Sequence, residues 1–192
     1  MIRFVFAVVA FAFSVVFTVS AQAQPAVSLG REPAGFFERL FEGSIAPTAR
    51  RLVAWSGTQR PGTIVISTSQ RRLYFVLGNG QAIQYGVGVG RPGFTWTGTK
   101  TVSLKREWPG WSPPAAMLRR RPDLPHYMPG GLGNPMGARA LYLGSSMYRI
   151  HGSNEPETIG YAVSSGCIRM TNADVVDLYN RTRIGTKVVV LR

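Results

Sequence analysis

The chain has 192 residues, a length typical of one ordinary domain with short extensions. Its hydrophobic content of 45% argues for a real core and against disorder. The net charge of +13 favours an anionic partner, such as nucleic acid, anionic lipid or an acidic polymer. The densest basic run, at residues 119–121, lies among prolines without an aromatic ladder or a nucleic-acid motif, so nucleic-acid binding is not expected.

The N-terminus has the three parts of a secretory signal peptide. A positively charged start at residues 1–3 precedes an apolar run at 4–19, and Ala-Gln-Ala follows at 21–23 as a small-residue cleavage pattern. The apolar run of about 16 residues is short for a membrane span, which needs about 20. We therefore expect removal of residues 1–23 on export to the periplasm or cell wall, rather than an uncleaved anchor helix. No stable membrane span is expected in the mature chain.

Residues 24–58 form a mixed segment that precedes the expected main domain, residues 59–192. Apolar side chains at positions 36, 37, 40 and 41 have the spacing of one helix face. The segment is interpreted equally well as a short amphipathic helix, packed on the domain or on the membrane surface, and as a mobile tether. Residues 58–62 are the expected linker into the domain.

From residue 63 the pattern becomes that of a β domain. Residues 63–67 and 72–77 are rich in β-forming side chains, and Gly78-Asn79-Gly80 predicts a type I′ hairpin turn because Asn-Gly accepts positive φ angles. Further strands are predicted at residues 81–89, 101–105, 138–143, 148–151 and 186–191. A short amphipathic helix is predicted at residues 172–179, with Asn172 as its N-cap. The predicted fold class is therefore mainly β, with one or two small helices.

Residues 107–134 are rich in proline and glycine and are long for a passive connection. They are expected to form a flap over a binding site. Trp108 and Trp111 are candidates for substrate contacts, because aromatic rings stack on sugars or cover a peptide. The alternative is that they pack the flap against the domain. His126 lies in the same segment, outside any recognisable motif, and is a secondary candidate for catalysis.

The stretch at residues 150–170 holds the chain's only cysteine, Cys167, and one of its two histidines, His151. Exported proteins generally use cysteines in pairs, so a single thiol suggests that it is used or well buried. A cysteine attacks as the thiolate, and a neighbouring histidine takes the proton and later returns it. Glycines follow the histidine and precede the cysteine, which permits close approach of a substrate. The alternative is a small buried cysteine and an ordinary surface histidine.

Three short motifs surround this pair: His-Gly-Ser-Asn-Glu-Pro at 151–156, Ile-Gly at 159–160 and Ser-Ser-Gly-Cys-Ile-Arg-Met at 164–170. They resemble the catalytic signature of the L,D-transpeptidases, the YkuD-type family that remodels bacterial peptidoglycan. The resemblance extends from about residue 61 to the C-terminus, through Gly-Asn-Pro-Met-Gly-Ala-Arg at 133–139. In one departure, Ser165 stands where the family's commoner form has a second histidine. The resemblance implies a YkuD-type fold, which is a β-sandwich or barrel-like domain.

Site roles follow from the chemistry and the resemblance together. Cys167 is the expected nucleophile, and His151 is the expected general base and acid. Acyl transfer also needs donors aimed at the developing oxyanion, and the backbone N–H groups around Ser165, Gly166 and Cys167 are natural candidates. The second imidazole nitrogen is expected to be oriented either by Ser153 or by a backbone carbonyl.

Three further residues of the motif are candidates for substrate contacts: Arg169, Ser153 and Asn154. Arg169 is expected to pair with a carboxylate on the substrate, and the alternative is that it locks the turn through carbonyl contacts. Asn154, together with Glu155, either meets an acceptor amine or fixes the loop, and the loop role is favoured.

The resemblance also implies a reaction. Cys167 would attack the carbonyl of the third residue of a peptidoglycan tetrapeptide stem, release D-Ala and leave a thioester. The acceptor would be an amine of another stem, a free D-amino acid, or a lysine of an outer-membrane or wall protein. Water as acceptor would make the chain an L,D-carboxypeptidase. No cofactor and no metal are expected, because no cluster of His and Cys has metal-ligand spacing.

Two other functional classes compete with this interpretation. One is a secreted basic β domain that binds peptidoglycan or another anionic polymer without turnover, and the intact His/Cys pair argues against it. The other is a cysteine peptidase of a different fold. Such families generally place the cysteine before the histidine, which is the reverse of the order here.

Overall fold

The computed structural model describes residues 48–192. This part contains eleven strands and two α-helices, with one 3-10 turn at Pro156–Thr158. The helices are α1 Ala115–Arg120 and α2 Asn172–Arg181. The strands are β1 Arg51–Ala54, β2 Ile64–Ser67, β3 Arg72–Gly78, β4 Gln81–Gly86, β5 Val89–Gly90, β6 Gly98–Glu107, β7 Arg139–Leu143, β8 Arg149–His151, β9 Ala162–Ser164, β10 Ile168–Arg169 and β11 Lys187–Leu191.

The predicted mainly β class with short helices is confirmed. Two other predictions, the signal peptide and the helical spacing at positions 36–41, lie outside the described residues. Within residues 48–192, no helix has both the length and the apolar character that crossing a membrane requires.

Nine of the described strands form one mixed sheet in the order β1-β4-β3-β2-β11-β6-β7-β8-β10, and β5 pairs with β9. Strand β6 joins the two halves of the large sheet, because its first residues pair with β11 and its later residues pair with β7. The β2–β11 and β8–β10 pairs are parallel. The edge formed by β7, β8 and β10 carries the site described below.

The turn between β3 and β4 is the predicted type I′ hairpin. Asn79 and Gly80 are its two central residues, and both have positive φ, at 50° and 68°. The third predicted strand, 81–89, is shorter than expected. It ends at Gly86 because the chain then crosses to β10, where Gly88 exchanges two backbone hydrogen bonds with Arg169. This crossing anchors β10 on the side away from β8.

Two boundaries differ from the sequence-based predictions. The sheet begins at Arg51, upstream of the domain start expected at residue 59, because β1 pairs with β4 through its backbone while its side chains are mostly exposed. The N-cap of α2 is Thr171, not Asn172. The Thr171 hydroxyl accepts from the Asp174 N–H at 3.2 Å, whereas the Asn172 side chain accepts from the Ala138 N–H at 2.9 Å.

The hydrophobic core lies beneath the strands that carry the site. Ile150 on β8 and Ile168 on β10 are 0% and 1% exposed, and helix α2 adds Val175 and Leu178 to the same cluster. Full burial of an aliphatic side chain of this size contributes about 1.5–3 kcal/mol. The short β8 and β10 are therefore held mainly by what their inner side chains bury, since each has only two or three residues.

Candidate active site

The site is built on the parallel pair β8 and β10. Their register places Ile150 beside Ile168 and His151 beside Arg169. Side chains alternate between the two faces of a strand. Because the two isoleucines point into the core, His151 and Arg169 point to the opposite face.

Cys167 lies on this same outer face. It immediately precedes β10, and extending the register by one residue places it beside Arg149. The four side chains of Arg149, His151, Cys167 and Arg169 therefore form two rows, with the cysteine diagonal to the histidine. All four line one cavity of about 510 Å³.

The flap covers the opposite wall of this cavity. Its short helix α1 has no buried residue of its own. The flap residues that line the cavity are Trp111, Pro114, Ala116, Met117 and Arg120. The predicted role of residues 107–134 as a cover for a binding site agrees with this arrangement, because the flap encloses the space in front of Cys167.

A tight turn presents Cys167. The Ser164 hydroxyl donates to the Cys167 carbonyl at 2.6 Å and accepts from the Gly166 N–H at 3.1 Å. The Trp96 indole N–H donates to the Gly166 carbonyl at 2.8 Å. Gly166 has φ +111°, and a Cβ atom there would lie 2.6 Å from a ring carbon of Tyr148. Only glycine fits this position, because both the conformation and the contact exclude a side chain.

Only part of the expected set of backbone donors in the turn is free. The Gly166 N–H, expected to face an oxyanion, is already engaged by the Ser164 hydroxyl. The N–H groups of Ser165 and Cys167 make no hydrogen bond to any residue in 48–192. The Ser165 hydroxyl accepts from the Arg91 guanidinium at 3.3 Å. The two free amides on either side of Gly166 are therefore the available donors.

His151 is buried, with 4% of its surface exposed. Its Nδ1 lies 2.6 Å from the Gly152 carbonyl oxygen, which can only accept a hydrogen bond, so Nδ1 carries the proton and Nε2 keeps its lone pair. A backbone carbonyl thus orients the ring. Ser153, the other expected candidate, does not; its hydroxyl accepts from the Glu155 N–H at 3.0 Å and lies outside the cavity.

The charge state of the pair follows from its surroundings. Burial lowers the pKa of His151 to about 4; hydrogen bonds to the Gly152 and Met136 carbonyls oppose this shift, and the positive charges of Arg169 and Arg149 reinforce it. Burial raises the pKa of the Cys167 thiol, against the influence of Arg149 and Arg169. The Cys167 Sγ–H points to the Met147 carbonyl, 3.7 Å away. At neutral pH the resting pair is therefore a thiol and a neutral imidazole, which is competent to act as a base.

Arg169 and Asn154 are both tied to the loop that follows β8. The Arg169 guanidinium lines the cavity and also forms an ion pair with Glu155, with 3.1 Å between Nη1 and Oε2. The Asn154 side chain donates to the Gly133 carbonyl at 3.1 Å and does not line the cavity. Asn154 therefore fixes the loop to the end of the flap, whereas Arg169 combines a loop contact with a place at the site.

The two flap tryptophans differ in their position relative to the cavity. Trp111 lines the cavity, and its N–H and C=O both bond to Met128, each at 2.8 Å, which closes the base of the flap. Trp108 is 41% exposed and does not line the cavity. His126 is also absent from the cavity wall.

Two contributors to the site were missed in the sequence. Arg149 stands two residues before His151, and the period of two along a strand would have placed both on one face. Tyr148 stacks on Trp96, with ring centroids 4.5 Å apart and planes 9° from parallel, and its ring lies against Gly166 of the turn. No local signal in the sequence pairs these two rings. Within residues 48–192, no three His, Cys, Asp or Glu side chains come together as a metal site.

Comparisons with known proteins identify the family of the chain. The model of the YkuD family, described as the L,D-transpeptidase catalytic domain, matches residues 61–190. Among curated relatives, the probable L,D-transpeptidase YcfS of Escherichia coli K12 is 38% identical over 67% of this chain and 43% of its own length. The chain therefore spans less than half of that relative.

Two solved structures are similar in fold. L,D-transpeptidase 3 from Mycobacterium tuberculosis matches with a TM-score of 0.54 and 21% identity, over 68% of this chain and 60% of its own. A Brucella melitensis protein described as a probable carnitine operon oxidoreductase CaiA matches with a TM-score of 0.51 and 45% identity, over 74% and 93%. That description belongs to the Brucella protein, whereas the family model and the curated relatives agree with each other. This chain belongs to the family of L,D-transpeptidase catalytic domains.

Proposed function

We propose that this chain is a cysteine L,D-transpeptidase that acts on peptidoglycan tetrapeptide stems. One observation carries the proposal. His151, with its Nε2 unprotonated, and Cys167 lie diagonally on one face of β8 and β10, in a cavity that the flap covers. A thiol, a neutral imidazole and an enclosed space are what acyl transfer through a thioester requires.

The first half-reaction is acylation. His151 Nε2 takes the Cys167 proton as the sulfur attacks the carbonyl carbon of the third stem residue, at its L centre. A C–S bond forms, and the carbonyl electron pair moves onto oxygen. The N–H groups of Ser165 and Cys167, which have no hydrogen-bond partner among residues 48–192, are the proposed donors to that oxyanion.

Collapse of this intermediate releases D-Ala. The carbonyl re-forms, the C–N bond to D-Ala breaks, and the imidazolium returns its proton to the leaving amine. The low pKa of His151 makes the imidazolium a strong acid, which favours this proton transfer. The product is a thioester on Cys167, with the imidazole neutral again.

The second half-reaction transfers the acyl group. An amine attacks the thioester, His151 accepts its surplus proton, and the thiolate leaves and is reprotonated. The acceptor amine is the side chain of a neighbouring stem, a free D-amino acid or a lysine of an outer-membrane or wall protein. Water in its place gives the L,D-carboxypeptidase reaction through the same intermediate.

Composition supports an extracytoplasmic site of action. The signal-peptide pattern at residues 1–23 is consistent with export to the periplasm, and the net charge of +13 attracts an acidic wall polymer. The curated relatives are named as probable L,D-transpeptidases, and that activity is the one proposed here.

The test is incubation of the mature protein with purified muropeptides, with the products read by mass. Loss of D-Ala together with a new cross-link or an exchanged terminal residue supports the transpeptidase. Loss of D-Ala alone indicates the carboxypeptidase. If both the natural protein and a Cys167→Ala control bind muropeptides without changing their mass, the chain is a binding module and the proposed enzymatic function is wrong.

A further inference from the structure

Arg149 occupies the position directly beside the nucleophile on the neighbouring strand. Three residues form a row across the sheet: Tyr142 on β7 is in register with Arg149 on β8, and the β8–β10 register extended by one residue places Cys167 next. The row lies on the cavity face, because Ile150 and Ile168 take the core face. The sulfur thus has a guanidinium as its lateral neighbour.

The surroundings of Arg149 leave its charge uncompensated. Its guanidinium carbon lies 4.9 Å from the centroid of the Tyr142 ring, and its Nε is buried without a hydrogen-bond partner. Among residues 48–192, no carboxylate forms an ion pair with it, and no Asp or Glu lines the cavity. Arg149 is half-buried, and its buried Nε–H has no hydrogen-bond partner, which is unfavourable, so an anion arising beside the guanidinium would be stabilised.

The other arginines of the cavity have different surroundings. Arg169 is paired with Glu155 at 3.1 Å. Arg91 lies over the Phe94 ring, 4.1 Å from its centroid, and donates to the Ser165 hydroxyl. Arg120 is exposed on the flap helix α1, on the far wall. Arg149 alone among these four combines a buried, unpartnered nitrogen with a place next to the sulfur.

We propose that Arg149 stabilises the thiolate of Cys167 from the neighbouring strand, so that the nucleophile has a fixed cation beside it as well as a base. The turn itself supplies no charge, since Ser164, Ser165 and Gly166 are all uncharged. Arg149 exchanges no proton in this role, because a guanidinium stays protonated at any working pH. The proton still passes from the thiol to His151, and the electron pair remains on sulfur. This inference rests on the proposed role of Cys167 as the nucleophile.

The electrostatics point in the same direction. Burial raises the pKa of the Cys167 thiol, and among the groups that oppose this shift Arg149 acts through both its backbone and its side chain, with Arg169 adding its charge. The titratable and charged groups that line this cavity beside the sulfur are His151, Tyr148, Arg149, Arg169, Arg91 and Arg120. A test must therefore separate Arg149 from the remaining cations.

The thiol can be titrated directly, without turnover. Cys167 is the only cysteine of the chain, so alkylation of the whole mature protein by iodoacetamide reports this sulfur alone. The rate of alkylation is measured against pH, and its midpoint gives the apparent thiol pKa. Arg149→Met and Arg149→Gln remove the charge, Arg149→Lys retains it, and Arg120→Met is the matched control from the same cavity.

A neutral residue at position 149 should raise the midpoint by at least about one pH unit, a tenfold fall in thiolate fraction at a given pH, since a nearby opposite charge shifts a pKa by about 1–3 units. Lysine should restore most of that shift, and Arg120→Met should leave the midpoint near that of the natural protein. Circular dichroism identifies which variants are folded, and two neutral variants are included in case one is not.

An unchanged midpoint in either folded neutral variant overturns the inference, as does an equal shift in Arg120→Met. A purely structural Arg149 would lower the melting temperature of the neutral variants without moving the midpoint. The proposed function fails separately, if the natural protein leaves muropeptides unchanged whatever its thiol titration shows.

Discussion

The two walls of the cavity are built in different ways. The β8–β10 wall rests on two isoleucines that are 0% and 1% exposed, and β10 has backbone partners on both sides. The flap wall, residues 107–134, contains a six-residue helix without a buried side chain, and two hydrogen bonds between Trp111 and Met128 close its base. Local opening requires less free energy where fewer apolar contacts are buried. The proposed chemistry thus lies on the rigid wall, and the cover lies on the adjustable one.

The largest expected effect comes from the rigid wall. Cys167→Ala should abolish acylation and turnover, because no other thiol exists in the chain, while the fold is retained since a small, partly buried side chain is replaced by a similar one. Covalent adduct formation with a carbapenem, read by intact mass, measures the loss. A variant that is folded and turns over at a near-normal rate would remove Cys167 from the role of nucleophile.

The next effect comes from the base on the same wall. His151→Gln should slow acylation by at least about a hundredfold, the usual scale for a lost general base. Single-turnover acylation against time measures it. Normal acylation by this variant would exclude His151 and leave His126 as the next histidine to examine.

Ser165→His is the matched variant for the base, since it restores the commoner form of the motif. We expect a far smaller change, or a modest improvement, because one imidazole beside the thiol is sufficient. If the natural protein is inactive and only Ser165→His turns over, the chain is a degenerate member that binds the wall without remodelling it.

Acidic pH should lower the free energy of unfolding, because it protonates His151 on the same wall. The pKa of His151 is about 4 in the folded protein against an ordinary value of 6.5, so the unfolded state binds the proton more readily. The contribution of neutral His151 to stability is present above pH 6.5 and is lost as the pH falls towards 4. Its full size is about 3 kcal/mol at 1.36 kcal/mol per pKa unit.

Urea unfolding at several pH values measures this loss. The slope of the unfolding free energy between pH 6.5 and 4 should be steeper in the natural protein than in His151→Gln, which lacks the titrating ring. Other acids, such as Asp174 with its pKa raised by burial, titrate in both proteins and cancel in the difference. Equal slopes would mean that His151 is not buried as a neutral ring.

The smallest effect is expected on the flap. Trp111→Ala should raise KM about fivefold, since a partly buried aromatic contact is worth about 1 kcal/mol, with kcat less affected. Trp108→Ala is the matched control and should leave both constants nearly unchanged, because Trp108 lies outside the cavity. Equal effects from the two variants would contradict the division between a lining and a non-lining tryptophan.

Structural features that depend only on a short stretch of sequence were predictable. The turn at Asn79-Gly80 follows from residues that tolerate positive φ, and helix α2 follows from apolar spacing and acidic residues in its first turns. The His151…Cys167 motif identified the candidate site and the family. In each case neighbouring residues carry the whole signal, so no knowledge of the packing was needed.

Tertiary structure decided what depends on pairing between distant segments. Arg149 lies beside Cys167 only because β8 and β10 are parallel and in one particular register, which neither segment specifies alone. The Gly166 N–H is engaged by Ser164, and Thr171 caps α2 in place of Asn172, because competing acceptors are fixed by the surrounding chain. Local propensity sets which groups can donate or accept, and long-range packing sets which partner each one meets.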